Sequence, residues 1–163
     1  MEKQVNGSIR VKSSTNYTIE VNDEGDLIEF DLSDIGLSAK LIECYNNVQN
    51  YTKEFEPKEA DLLEKIKKEQ EENNQKETPD FYTESELEYI NLQKEFYKNC
   101  RESMDLFLGK NACYKIFGDV NYPSMFLDLF EQLEPHFKKM GLNKAKMQVD
   151  LFNKYLKKKG KIN

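Results

Sequence analysis

Residues 101–119 read Arg-Glu-Ser-Met-Asp-Leu-Phe-Leu-Gly-Lys-Asn-Ala-Cys-Tyr-Lys-Ile-Phe-Gly-Asp, and this stretch decides how the helices of the chain are connected. Met104, Phe107 and Leu108 have helical spacing, and Gly109 is a residue that can take a positive φ and end a helix. After Ala112, the apolar residues before the next glycine are Cys113, Tyr114, Ile116 and Phe117. Because a linker would be polar, this composition predicts a buried turn that packs under neighbouring helices and fixes the angle between them.

Helices are predicted on both sides of this turn. Thr83-Glu84-Ser85-Glu86 has the sequence of a capping box and opens a long helix over residues 84–108. After the turn, Ser124 is the N-cap candidate of a helix that runs to Met140, and Pro135 is expected to kink or interrupt it. A last helix is expected beyond Gly141, and its apolar residues are Met147, Val149, Leu151, Phe152, Tyr155 and Leu156.

Two short segments near the N-terminus predict a β-hairpin over residues 17–31. Both are rich in β-branched and aromatic residues, and residues 22–26 between them, Asn-Asp-Glu-Gly-Asp, are typical of a turn rather than of a calcium loop. The first strand alternates apolar with polar side chains. One side of the hairpin is therefore expected to pack on a helix while the other faces water.

A long helical region is predicted after the hairpin. Ser33 and Asp34 are good N-caps for a helix that begins near Ile35, and Pro57 is expected to begin a second helical segment. Residues 65–76 are almost wholly charged or amide, which predicts a projecting helix end followed by a mobile loop. Two interpretations of this charged helix remain open: a plain solvated face, or an arm that binds a partner.

These patterns together predict a mainly α fold. We expect one helical domain over residues 17–156, with about five helices and a small N-terminal β-hairpin. The polar residues 1–16 are expected to form a flexible N-terminal segment, and residues 157–163 a basic flexible tail.

The charge distribution restricts the classes of partner. The net charge is −6, but residues 138–163 hold nine lysines and one acid, a net charge of +8, which leaves −14 on the remainder. An acidic body does not suit a nucleic acid, and the lysine-rich end lacks the interleaved aromatic residues on which bases stack. No run reaches the roughly 18 apolar residues of a membrane span, and the first residues do not lead into a signal-peptide core. We therefore expect a cytosolic protein.

The residue types needed for catalysis are present, but not in catalytic patterns. His136 has no cysteine or carboxylate at metal-ligand spacing, and no local signature pairs it with Cys44, Cys100 or Cys113 as a nucleophile. Those three cysteines are expected to be buried, reduced thiols. The glycines of the stretch at residues 101–119 lack the spacing of a phosphate-binding loop. The sequence therefore predicts no enzyme, no metal and no cofactor.

Short motifs give the chain a family resemblance. They are the hairpin end Ile28-Glu29-Phe30-Asp31, the helix segment Leu41-Ile42-Glu43-Cys44-Tyr45, and residues 101–109 leading into Lys115-Ile116-Phe117-Gly118-Asp119. In this layout the chain resembles the tail assembly chaperones of long-tailed (siphovirus-like) bacteriophages and prophages, over roughly two thirds of its length. It departs from the family pattern at Leu108, which separates Phe107 from Gly109, and at the bulky pair Cys113-Tyr114.

The resemblance implies a function in virion assembly. Such a protein, in the host cytoplasm, binds the tape measure protein, recruits tail tube subunits to it and is not retained in the mature virion; self-association is also possible. In this family a ribosomal frameshift extends a minority of chains, and Lys157-Lys158-Lys159 is compatible with an A-rich slippery site. The alternative function is a structural or regulatory protein-interaction module of a phage or other mobile element, which would use the charged helix at residues 60–76.

Two apolar surfaces are the candidates for partner binding, because a helical adaptor needs grooves rather than a reactive pocket. The first lies in the stretch at residues 101–119 and the second near the C-terminus. Their residues are Phe107, Leu108, Tyr114, Ile116 and Phe117 in the first, and Phe152, Tyr155 and Leu156 in the second. Each of these residues has an alternative role as an ordinary core residue.

Overall fold

The computed structural model describes residues 2–10 and 16–142. The elements are β1 (Asn16–Glu20), β2 (Leu27–Asp31), α1 (Leu37–Asn73), α2 (Glu84–Leu108), α3 (Ala112–Phe117) and α4 (Met125–Lys139). The fold class is confirmed: the described chain is mainly helical, with one two-stranded antiparallel hairpin. The described residues contain four helices: the two segments predicted before and after Pro57 form one helix, and the short helix α3 was not predicted. The predicted last helix and the basic tail lie outside the described residues.

The hairpin has the predicted two faces. Tyr17 pairs with Phe30 and Ile19 with Ile28, and the turn closes with Gly25 at a φ of 82°. Ile28 and Phe30 are buried in the core, and Tyr17 and Ile19 pack partly against it. Since two strands alone are marginally stable, this apolar face needs the helices that cover it.

The helix α1 begins later than predicted and is not divided. It starts at Leu37 with Gly36 as its N-cap, because the Asp34 carboxylate accepts the Gly36 N–H at 2.8 Å and holds a turn before the helix. The prediction that a second helical segment begins at Pro57 was wrong, since α1 continues through this residue to Asn73. Pro57 and Lys53 are both exposed, so the Lys53 carbonyl that loses its helical donor faces water.

The helices α1 and α2 pack against each other as an antiparallel pair. Contacts at Cys44–Met104, Phe55–Phe96, Glu59–Tyr89 and Gln70–Glu86 follow the pair from one end to the other. The 37 residues of α1 span about 55 Å at 1.5 Å per residue. Among the described residues, the core cluster and the side chains packed on it reach only to Tyr51 in α1 and Phe96 in α2. We call residues 52–95, which extend beyond that core, the helical arm.

The helix α4 covers the other end of α2. Its buried face consists of Met125, Phe126, Leu129, Phe130, Leu133 and Phe137. The helix is continuous through Pro135, so the predicted interruption does not occur. It ends at a Schellman turn, in which the Leu142 N–H donates to the Phe137 carbonyl at 2.9 Å and Gly141 has a φ of 77°.

Candidate functional site

The stretch at residues 101–119 forms a corner between α2 and α4. As predicted, α2 ends at Gly109, which has a φ of 111° and donates its N–H to the Asp105 carbonyl at 2.9 Å. Asn111 follows in the left-handed region with a φ of 60°, a conformation that asparagine tolerates better than most side chains. The chain therefore reverses within three residues, and the next element packs back onto α2.

The predicted buried turn is in fact a short helix, α3. The Asp105 carboxylate accepts the Cys113 N–H at 2.9 Å and so satisfies one of the free donors at the start of α3. Ala112 and Cys113 are buried, and Ile116 and Phe117, four residues further on, are half-buried. A spacing of four between apolar residues is typical of a helix, so the sequence did indicate α3. The glycines on either side favoured a turn instead.

Arg101 connects α2 to the segment between α3 and α4. Its guanidinium donates to Asn121 Oδ1 at 2.7 Å, to the Gly118 carbonyl at 2.8 Å and to the Val120 carbonyl at 2.7 Å. It also lies 5.8 Å from the centroid of the Phe117 ring. No sequence pattern predicted a role for Arg101. Its residue type could have indicated this role, because only arginine has a planar group with several hydrogen-bond donors. Arg101 is also one of only two arginines among the 24 basic residues of the sequence.

The hairpin is attached to the same corner. The Lys115 ammonium donates to the Leu27 carbonyl at 3.2 Å, and the Asn22 side-chain amide donates to the Lys115 carbonyl at 2.9 Å. These residues are about 90 positions apart along the chain, so local patterns carry no information about the contact. The corner therefore joins α2, α4 and the hairpin.

The predicted partner-binding residues of the corner differ in exposure. Phe107 and Leu108 are buried, and the Phe107 ring lies 5.3 Å from that of Phe30 and 5.7 Å from that of Phe137. A partner would reach these two only if the core rearranged. Tyr114, by contrast, is 60% exposed. The C-terminal candidates Phe152, Tyr155 and Leu156 lie outside the described residues.

Ile116 and Phe117 line a cleft of about 300 Å³ between the hairpin, α3 and α4. The apolar part of its lining consists of Ile19, Val21, Ile28, Ile116, Phe117, Leu129 and Leu133. Glu20, Asp128 and Gln132 add polar groups to this lining. Tyr122 lines it too, so the cleft combines apolar side chains with several polar groups, and both kinds are found in binding sites.

One further polar group of the cleft is already engaged. The Nδ1 atom of His136 lies 2.7 Å from the Tyr17 hydroxyl, and the two rings meet edge to face. Within the part of the chain that the structure describes, there is no group of three or more side chains placed to hold a metal ion. None of the helices in the same ranges has the length and apolar content of a membrane span.

Cys44, Cys100 and Cys113 are buried, and no disulfide joins any two of them. Burial, with a smaller contribution from Asp105, raises the pKa of the Cys44 thiol to about 12. The same two causes raise the pKa of Cys113 further above its ordinary value. Because the thiolate is the reactive form of cysteine, both groups are chemically inert near neutral pH.

Comparisons of the chain with models of known protein families, with curated proteins and with solved structures found no match.

Proposed function

We propose that the protein is a tail assembly chaperone of a long-tailed bacteriophage or prophage. In this role it works in the host cytoplasm as a non-enzymatic adaptor, binds the tape measure protein and recruits tail tube subunits to it. The observation that carries the proposal is the cleft between the hairpin, α3 and α4, which has both apolar and polar lining residues. Two of its lining residues, Ile116 and Phe117, belong to the motif on which the family resemblance depends.

The cleft suits an adaptor that holds its client temporarily. Its apolar side chains can contact the apolar face of an amphipathic segment, and its polar side chains can bond the polar groups of that segment. Raised thiol pKa values at Cys44 and Cys113 also agree with a role without covalent chemistry.

Blocking the cleft tests the proposal. Gln132 is exposed and lines the cleft, so Gln132→Trp places a bulky side chain there without altering the core. On co-expression with a tape measure protein, which the proposal expects to be encoded beside it, we expect wild-type protein to keep that client soluble and Gln132→Trp to reduce the soluble fraction severalfold. Lys139→Trp is the matched control, because Lys139 is exposed on the same helix and does not line the cleft. A client that is equally soluble with and without this protein would contradict the chaperone function.

Truncation after Gly141 tests the C-terminal candidates Phe152, Tyr155 and Leu156. Reduced solubility of the tape measure protein would assign client binding to this segment, provided that circular dichroism shows the truncated chain to be folded. Unchanged solubility would remove these residues from the candidates.

The second candidate function is a structural or regulatory interaction module of a mobile element. The helical arm favours it, because a two-helix projection with its own exposed apolar residues is not needed to form the cleft. Retention of the protein in purified particles would support a structural role over a chaperone role.

A further inference from the structure

The end of the helical arm is a fixed connection between α1 and α2. The Asn73 side chain bonds both backbone groups of Asp80: its Nδ2 donates to the carbonyl at 3.0 Å, and its Oδ1 accepts the N–H at 2.9 Å. Lys76 forms an ion pair with the Asp80 carboxylate at 3.2 Å. These contacts hold residues 73–80 as a closed loop on the end of the two helices.

The first turn of α2 is fixed as well. The Thr83 hydroxyl accepts the Glu86 N–H at 3.3 Å, and the Glu86 carboxylate accepts the Thr83 N–H at 3.4 Å, so the predicted capping box is present. Glu86 also accepts a hydrogen bond from the Gln70 amide at 2.7 Å, which joins α2 to α1. The residues between the closed loop and the capping box are therefore held from both sides.

Those residues are two exposed aromatics. Phe81 is 90% exposed and Tyr82 is 48% exposed, and their rings meet edge to face at 4.7 Å. Leu87 and Ile90 follow on α2, 49% and 43% exposed. Tyr82 and Leu87 occupy the two positions of a hydrophobic staple, and Leu87 and Ile90 are three residues apart on one helix face. We call Phe81, Tyr82, Leu87 and Ile90 the apolar strip.

The surroundings of the apolar strip are strongly acidic. Residues 69–88 contain eight acids and one lysine, Lys76, which gives a net charge of −7 on this part of a chain whose total is −6. Lys76 is already paired with Asp80. One carboxylate oxygen of Glu69 is buried and has no hydrogen-bond partner among the described residues. This oxygen is shielded from a partner and Lys65 already interacts with Glu69, so it is the exposed carboxylates of residues 69–88 that favour a positively charged partner.

We propose that the apolar strip docks a protein segment of one particular chemistry: an amphipathic helix whose apolar stripe is flanked by lysine or arginine. The apolar stripe covers the four exposed side chains, and its basic flanks pair with the surrounding carboxylates. Since the strip is already held by the closed loop and the capping box, little conformational entropy is lost when the partner binds. The inference goes beyond the proposed function, because the strip belongs to the arm and not to the cleft.

A synthetic helical peptide of leucine and lysine at helical spacing, about 18 residues long, tests this inference on the full chain. We expect it to bind, and we expect the same peptide with glutamate in place of lysine not to bind. The variant Phe81→Ala/Leu87→Ala keeps every charge and should weaken binding about tenfold or more, as seen for aromatic and apolar anchors of interfaces. Leu106→Ala is the matched control, because Leu106 lies on the same helix and is 56% exposed outside the arm. Its binding should equal that of the wild type.

Three results would overturn the inference. The first is that Phe81→Ala/Leu87→Ala binds the lysine peptide as tightly as Leu106→Ala does. The second is that the wild type binds the glutamate peptide as tightly as the lysine peptide. The third is that the protein self-associates as its concentration rises and that the double substitution abolishes this self-association. The last result would identify a second copy of this chain as the occupant. If the double variant unfolds, Phe81→Ala alone serves, since a side chain that is 90% exposed contributes little to the core. Failure here leaves the tape measure experiment unaffected, because Gln132 lines the cleft and not the strip.

Discussion

Arg101 makes three hydrogen bonds to the segment between α3 and α4, and only an arginine side chain can make all three at once. Its three nitrogen atoms lie in one plane and reach two backbone carbonyls and the Asn121 amide together. The ammonium group of a lysine is a single point and does not reach all three acceptors. The angle at which α4 leaves α2 therefore depends on one side chain.

Removing this side chain should destabilise the fold measurably. We expect Arg101→Ala to lower the free energy of unfolding by about 2–4 kcal/mol, because three acceptors lose a charged donor and two of them are backbone carbonyls. Arg101→Lys should recover only part of that loss. Urea denaturation measures both, with Lys98→Ala as the control, since Lys98 is exposed on the same helix. An Arg101→Lys variant as stable as the wild type would contradict the role of the planar fork.

The Cys44 thiol should make stability depend on alkaline pH. Its pKa is about 12 in the fold against 9.0 as the ordinary value, mainly because it is buried. The unfolded chain therefore loses this proton from about pH 9 upward while the folded chain keeps it. The stabilisation is complete below pH 9 and is lost as the pH rises toward 12, at up to ~1.4 kcal/mol per pH unit.

Comparison with Cys44→Ala isolates this contribution. We expect the difference in free energy of unfolding between wild type and Cys44→Ala to be constant below pH 9 and to shift against the wild type above it. Denaturant titrations at pH 7, 9 and 10 measure the difference. A difference that stays constant across this range would show that the thiol titrates alike in both states.

At the scale of elements, the arm shows how tertiary contacts preserve a helix that contains a helix breaker. Pro57 removes one backbone hydrogen bond and crowds the preceding turn, yet α1 continues through it. Phe55 is buried against Phe96 at a ring distance of 4.5 Å, and Leu62 is buried about two turns further on. This packing on both sides of Pro57 offsets the local cost, so the break expected from the sequence does not form.

Replacing Pro57 should therefore stabilise the arm. Pro57→Ala restores a donor for the Lys53 carbonyl, and we expect a gain of about 1–2 kcal/mol after the greater freedom of the unfolded chain is subtracted. Thermal unfolding followed by circular dichroism measures it. Lys67→Ala is a control for a change at an exposed position of α1 and should have an effect within about 0.5 kcal/mol. A lower melting temperature for Pro57→Ala would mean that Pro57 contributes contacts of its own.

At the scale of the whole molecule, stability is expected to be uneven. The hairpin, α3, α4 and the adjoining parts of α1 and α2 share one core cluster, whereas the helical arm has only the packing between its two helices. Regions with few buried apolar contacts open at lower free energy than the core. The arm is thus the part of the described chain in which the two helices are expected to open first.

Hydrogen exchange along α1 measures this difference within one helix. We expect amides at residues 58–72 to exchange with opening free energies about 2 kcal/mol or more below those of residues 41–50. Residues 97–107 of α2, which lie beside the core, provide a second reference. Equal protection along the length of α1 would show that the arm and the core unfold as one unit.

The division between local and tertiary information follows from the residues themselves. The mainly α fold with its hairpin, the capping box at Thr83 and the helix end at Gly109 were predictable, because each depends on neighbours within a few positions. The continuity of α1 through Pro57, the contact of Lys115 with the hairpin and the three bonds of Arg101 were not. They depend on residues that only folding brings together, as do the two surfaces proposed for partners. The cleft requires the hairpin, α3 and α4 to meet, and the apolar strip is exposed because α1 and α2 extend beyond the core.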